Sequence, residues 1–425
     1  MKKGQVGDKV LVRLKQGKEE QGVLLESHES GILLLKLKSG YNIGIKKKDI
    51  KQINVLEKAR EEKKEEEKIK GKGKERITII MTGGTISSSL DVKTGGVKWL
   101  TSPGEFFKFY PEIFDVVDIK ILNPFMKSSE NMEFRDWAKI AKIAVKELND
   151  NNVRGVIVTH GTDFLHYTSS ALSFMLRKIG KPVVLTYSQR SSDRGSSDAR
   201  LNLLCAARAA ISDIAEVMLV GHATTNDDFC YALPGTKCRK MHTSRRDTFK
   251  AINAKPLAKI WIDRIEPITG YKKRQKQKTE LDAVFEEKVA LIKFYPGQNP
   301  DILDYYAKKG YKGIVIEMSG LGHVITEGKK SWIPKLKSLI AKDIVICAAP
   351  QTLYGRLDSY VYSPGRELEK IGVLYLGDIL PETALVKLGY VLGHKEWKTK
   401  EKIKEMMLEN IAGEFNLKLG KEFLD

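Results

Sequence analysis

Short runs in which apolar and polar residues alternate open the chain. KVLVRLKQG, EEQGVLLES and GILLLKLKSGYNIGI each carry a two-residue period and are separated by glycine-containing turns, the pattern of half-buried antiparallel strands. Residues 1–55 are therefore expected to form a small β-barrel-like module. At Leu56 the pattern stops. LEKAREEKKEEEKIKGKGKE offers no apolar face wide enough to pack, and Gly71 and Gly73 loosen it, so 56–75 reads as a charged linker.

A different rhythm begins at Arg76, where β-branched runs ending in small polar residues alternate with segments of helical period. ITIIM runs into Thr82, GVIVTH into Gly161, PVVLTY into Ser188 and VMLVGHA into Thr224. Trp137, Ile140, Ala141, Ala144 and Leu148 mark one face of a helix. Leu172, Met175, Leu176 and Ile179 mark another, which should stop at Gly180. Such alternation points to a parallel sheet covered on both faces, with its ligand crevice beyond the carboxyl ends of the strands. This larger domain is expected over 76–270. The basic stretch GYKKRQKQKTE then supplies a connector at 271–280, and VALIKFY, GIVIEMSG, DIVICAAP and GVLYLGDI imply a smaller α/β domain with C-terminal helices over 281–425.

Composition refines this picture. At 42% hydrophobic and 30% charged residues over 425 positions, the chain has the make-up of an ordinary globular protein. It contains no apolar run of the length that a membrane crossing needs, and Met1, Lys2 and Lys3 lead into polar GQVGDKV. No membrane partner and a cytoplasmic location are expected. Cys205, Cys230, Cys238 and Cys347 form no CxxC pair, which suits buried thiols in a reducing compartment better than zinc or disulfides. The net charge of +19 favours a polyanionic neighbour such as RNA, although a heat-adapted surface rich in Lys and Glu would give the same balance.

Two strand ends carry related polar loops, Thr82-Gly83-Gly84-Thr85 and Thr159-His160-Gly161-Thr162-Asp163. Each sets a hydroxyl where the strand turns, and the glycines let backbone N–H groups approach an anion or oxyanion. A phosphate-binding turn or a plain strand–helix connection would look alike, but neither a Walker A loop nor GxGxxG is present. By itself Thr85 could be a cap, Asp163 the N-cap of the next helix, and Lys240 part of a solvated basic loop with Lys237, Arg239, Arg245 and Arg246. His160, His222 and His242 read as core or loop residues, not metal ligands.

The combination of segments narrows the choice. ITIIMTGGTI, THGTDFLHYTSSAL, TYSQRSSDRGSSDARLNLL and RKMHTSRRDTFKA follow one another as in the bacterial-type L-asparaginase family, and from Arg76 to about Asp378 the chain resembles that family. The resemblance implies an asparaginase-like larger doubly wound domain, a smaller α/β domain, and amide hydrolysis by a threonine nucleophile without metal or cofactor. It makes Thr85 the nucleophile and Thr162, Asp163 and Lys240 its catalytic partners. Gly84, Ser129 and Glu130 become substrate-binding residues, the last two holding the α-carboxylate and α-amino group, with Asp163 sharing the latter. The chemistry is coherent, because a threonine hydroxyl needs a base and a partly buried amine can relay its proton. One feature departs from the family: no tyrosine lies between Thr85 and Tyr110, and Val92 stands near the place where a loop tyrosine is usual.

The N-terminal module is extra to a simple asparaginase. Together with KMHTSRRDTF, YGRLDSYVYSPGREL and LPETALVKLGYVLG, it makes nearly the whole chain similar to the D subunits of archaeal glutamyl-tRNA(Gln) amidotransferases. That resemblance implies hydrolysis of glutamine or asparagine by this chain. A partner E subunit would use ATP and Mg to activate the glutamyl group on tRNA(Gln) and receive the ammonia. It further implies a homodimer within a D2E2-type heterotetramer that contacts tRNA(Gln) as a complex. The alternatives are a stand-alone L-asparaginase and a non-catalytic tRNA-binding or assembly protein.

Overall fold

The computed structural model describes residues 4–25, 27, 31–39, 41–58, 74–90, 97–99, 109–418 and 420. Strands Lys9–Leu14, Glu19–Leu25, Ile32–Leu37, Asn42–Lys46 and Ile50–Glu57 form an antiparallel sheet in the order fourth, third, second, first, fifth. The alternation seen in the sequence turns Val10, Val12, Leu24, Leu33, Leu35 and Ile45 to one core. A single 3₁₀ turn, Lys47–Asp49, carries the chain from the strand at one edge to the strand at the other, so the sheet must curl. Most of the charged run that follows, 59–73, lies outside the described residues.

The larger domain is built on eight strands in the order Ile265–Pro267, Ala258–Ile260, Cys230–Pro234, Val217–His222, Val183–Thr186, Val153–Thr159, Arg76–Met81, Asp118–Leu122. The last five are parallel, and the period of two divides their side chains between two cores. Val156 and Val158 face the helices Phe134–Leu148 and Leu165–Met175, while Ile157 faces Ala199–Ala210. The four strands whose runs led to the expectation of a parallel sheet are parallel; the correction is that the sheet continues into three further strands, which are antiparallel. Residues 223–229 are too few for the crossover of a dozen or more that a parallel connection needs. A second correction concerns the helix expected to reach Gly180. It ends at Met175, because Leu176–Arg177 pair with Glu280–Leu281 and Lys178 turns the chain at φ 53°.

The basic stretch near 271–280 runs along the edge of this domain. Arg274 donates to the carbonyls of Ser212, Arg154 and Ala210 at 2.6, 2.6 and 3.1 Å. Burial, with Arg154 nearby, lowers its guanidinium to about 10. The smaller domain carries four parallel strands, Val289–Lys293, Gly313–Met318, Val345–Pro350 and Leu374–Tyr375. Helix Pro381–Gly393 joins it to the larger one by packing on Leu165–Met175, where the Ser170 and Thr383 hydroxyls meet at 2.9 Å.

A buried ion pair reinforces that junction. Lys237 Nζ lies 2.7 Å from Asp378 Oδ2, and both side chains are out of solvent. Lys237→Met would strand the Asp378 charge, and breaking a buried pair in this way costs about 3–5 kcal/mol. Denaturant unfolding should show a clearly lower midpoint for this variant; an unchanged midpoint would mean that the pair contributes nothing.

Candidate active site

Met81 lies opposite Thr159 on neighbouring parallel strands, so the loops leaving them meet beyond the carboxyl ends of the strands. Thr82 ties them together: its N–H and Oγ1 donate to the Thr159 carbonyl at 3.3 and 2.7 Å. Gly83 and Gly84 take φ of +125° and +82°, which other residues adopt only under strain. Space makes the same demand, since a Cβ on Gly84 would stand 2.3 Å from the His160 carbonyl oxygen, and one on Gly83 2.2 Å from that of Lys127. Half-buried Thr85 then opens a 3₁₀ turn, Thr85–Ser87. The Ser88 hydroxyl donates to the Thr85 carbonyl at 2.7 Å, and Ser87 Oγ lies 3.0 Å from Thr159 Oγ1.

The segment around Ser129 forms a third wall. Lys127 N–H donates to the Thr82 carbonyl at 2.9 Å, and buried Ser129 Oγ accepts from Phe164 N–H at 3.3 Å. Ser129 lies so close to Gly161 that a Cβ there would be 2.9 Å from its hydroxyl. Glu130, beside it, is exposed. Ser129 therefore borders the loop of Thr162 and Asp163, with Glu130 next to it in the chain.

Lys240 arrives from far along the chain, on the strand Cys238–Lys240 that pairs with Phe249–Ala251. Its Nζ donates to Thr162 Oγ1 at 2.9 Å and pairs with Asp163 Oδ1 at 2.6 Å, across 78 and 77 residues. The Lys240 side chain is 12% exposed and that of Asp163 62%. The amine is thus sunk while the carboxylate remains open to an incoming cationic group. Its basic neighbours turn elsewhere: Arg245 to Asp247, Arg246 to Asp227, and Arg239 toward Glu382 at 3.5 Å.

Beneath this group lies a polar layer that the sequence did not suggest. His166 Nε2 is 3.7 Å from Glu382 Oε1 at the junction of the domains. Burial raises the Glu382 carboxyl, against the pull of Arg239. Burial, helped by Arg239 and Lys240, holds His166 down to about 3, too weak a base to collect a proton at neutral pH. His160 is pushed down to about 4 by burial, and its ring nitrogens meet Gly161 O and Thr168 Oγ1, each at 2.8 Å. His222 sits between Asn202 and Asp227, and His242 is exposed. Among the described residues no three His, Cys, Asp or Glu groups are placed to hold a metal, and the four cysteines are buried and unpaired.

The segment TYSQRSSDRGSSDARLNLL stands out in the sequence, but no residue in it carries an expected role. Asp198, fully buried, accepts the N–H groups of Gln189 at 2.9 Å and Arg190 at 3.0 Å and the Ser188 hydroxyl at 3.1 Å. In sequence an Asp ahead of an apolar helix reads as an N-cap. Here its carboxylate bonds backward into the loop, which sequence alone does not announce. The position near Val92 lies outside the described residues.

The Asparaginase N-terminal family matches residues 76–272, the Glutaminase/Asparaginase C-terminal domain 288–407, and the GatD N-terminal domain 4–56. The D subunit of the glutamyl-tRNA(Gln) amidotransferase of Thermococcus kodakarensis is 47% identical over 420 residues, covering 96% of this chain and 94% of its own. Its counterpart in Methanothermobacter thermautotrophicus is 43% identical over 418 residues, covering 97% and 94%. Among solved structures, the thermostable L-asparaginase from Thermococcus kodakarensis is 28% identical with a TM-score of 0.72, covering 80% of this chain and 99% of that one. L-asparaginase I from Vibrio cholerae is 27% identical with a TM-score of 0.69, covering 81% and 100%.

Proposed function

The chain belongs to the family of glutamyl-tRNA(Gln) amidotransferase D subunits, whose body is an asparaginase fold, and from that premise we propose how its residues divide the chemistry. It is the asparaginase-like, amide-hydrolysing component of a multisubunit tRNA-dependent amidotransferase. Glutamine or asparagine enters with its α-ammonium group on Asp163 and Glu130 and its α-carboxylate on Ser129. Thr85 Oγ attacks the carboxamide carbon, and the Thr85 proton passes through Thr162 and Lys240 to the leaving nitrogen. Ammonia departs as the acyl ester forms on Thr85. Water then cleaves that ester and returns the hydrogen to the threonine oxygen.

The observation that carries this reading is the meeting of Lys240 Nζ with both Thr162 and Asp163, beside a Thr85 turn that Gly84 presses against the His160 carbonyl. Side chains so distant in sequence converge where a parallel sheet opens its crevice. The chain itself uses no cofactor in this scheme. The partner is an E subunit that holds ATP and Mg, activates the glutamyl group on tRNA(Gln) and receives the ammonia, in a D2E2 assembly working in the cytoplasm.

The test is ammonia release from glutamine and from asparagine, with and without a co-purifying partner, ATP and Glu-tRNA(Gln). Stimulation by the full set, together with Gln-tRNA(Gln) formation, is expected. Release that is equally fast with the chain alone would favour a free-standing asparaginase.

A further inference from the structure

The turn that carries Thr85 is gripped on its outer side by a loop that also reaches the N-terminal module. Ser192 Oγ lies 2.5 Å from the Tyr110 hydroxyl, and both converge on the Ile86 carbonyl, at 3.3 and 3.2 Å. Ser192 N–H donates to the Ser88 carbonyl at 3.4 Å. Ile86 and Ser88 follow Thr85 in the chain, so these bonds fix the turn from outside while Ser87 fixes it from inside through Thr159. Burial raises the Tyr110 hydroxyl far above its ordinary value, which keeps it a neutral donor at any working pH. The loop has a firm base, because Asp198 pins Gln189 and Arg190 just before Ser192.

The next residue, Asp193, reaches out of the larger domain. Its Oδ2 lies 3.4 Å from Nζ of Lys36, on the strand Ile32–Leu37 of the N-terminal module, and the two side chains are largely shielded, at 21% and 12% exposure. A line of contacts therefore runs from Lys36 through Asp193 and Ser192 to the backbone on which Thr85 sits. Along this line each group touches the next.

We infer that Ser192 is a positioning residue for the Thr85 turn, and that the Lys36–Asp193 contact lets the N-terminal module set the rate of amide hydrolysis. The inference rests on the reading of Thr85 as nucleophile. Attack on a carboxamide demands that the hydroxyl stand in a near-attack position, where a displacement of about 1 Å can cost on the order of a hundredfold in rate. A module docked through Lys36 holds the turn in that position.

The test uses the full chain assembled with its partner and compares kcat and KM for the amide donor. Ser192→Ala should lower kcat about tenfold while KM stays within about twofold, and Ser192→Thr, which keeps the hydroxyl, should recover most of the loss. Lys36→Asp and Asp193→Lys should each lower kcat about fivefold, the small end of coupling between linked sites, and the double swap should restore it. Unchanged kcat in both single charge variants, or no recovery in the double, would overturn the link to the module. A fall in thermal midpoint without a fall in kcat for Ser192→Ala would reduce Ser192 to a packing residue. Thr85→Ala in the same assay separates the two ideas. If it remains active, the nucleophile reading fails; if it is dead while the other variants match the parent, this inference alone fails.

Discussion

Thr85→Ala should lower ammonia release by at least about a thousandfold, since removing the nucleophile of an acyl-transfer site leaves only what binding and oxyanion stabilisation supply. The substitution is gentle to the fold. Thr85 is half-buried, and its turn is held by backbone groups and by Ser87, Ser88 and Ser192, none of which needs the Thr85 hydroxyl. In the assembled enzyme the variant should still form Gln-tRNA(Gln) when ammonium salts are supplied, because the scheme proposed above assigns the ATP-dependent step to the partner. The measurement is paired: glutamine-dependent and ammonium-dependent amidation of the same tRNA. Undiminished glutamine-dependent amidation would remove Thr85 from the chemistry.

Lys240→Met is the second large effect, with a loss of about 10²–10⁴ in kcat, the span of one general acid–base group. Methionine can occupy the path of the lysine stem. The Thr162 hydroxyl loses one donor, and Asp163 is left beside solvent, where an unpaired carboxylate is tolerated. Folding and assembly should survive, read as an unchanged elution position of the complex. Lys240→Arg gives the sharper reading. A guanidinium keeps the charge and can still meet Asp163, but it does not deprotonate in proteins. It should be as inactive as the methionine variant. Recovery of hydrolysis by arginine would mean that Lys240 contributes charge, not proton transfer.

These two residues also show how much of the site could be read in advance. The Thr85 turn was legible locally, as a β-branched strand, two glycines and a hydroxyl, whereas the part proposed for that hydroxyl came from the resemblance. The structure gives the reason for those glycines, a left-handed backbone pressed against the His160 and Lys127 carbonyls. Lys240 was legible only through resemblance, since its own surroundings in the sequence are a cluster of basic residues. What distinguishes it is direction, with Lys237 and Lys240 turned inward while Arg245 and Arg246 find carboxylates elsewhere. Asp198 and Ser192 could not be read at all: Asp198 bonds backward into its own loop, at Gln189 and Arg190, where a helix cap would be expected, and Ser192 finds its partner in the distant Thr85 turn.

The sequence by itself determined the local elements: alternating strands in the first module, β-branched strands and amphipathic helices after Arg76, and the glycine turns at two strand ends. Its periods of two and 3.6 are properties of neighbouring residues, so they need no knowledge of the fold. The tertiary structure alone decided which strand ends became neighbours, where the sheet changed from parallel to antiparallel, and that Leu176 left its helix to pair with Leu281. It alone brought Lys240 to Thr162 and Asp193 to Lys36. Such meetings depend on strand order and on the packing of whole layers, to which each residue contributes a little and which no short segment encodes.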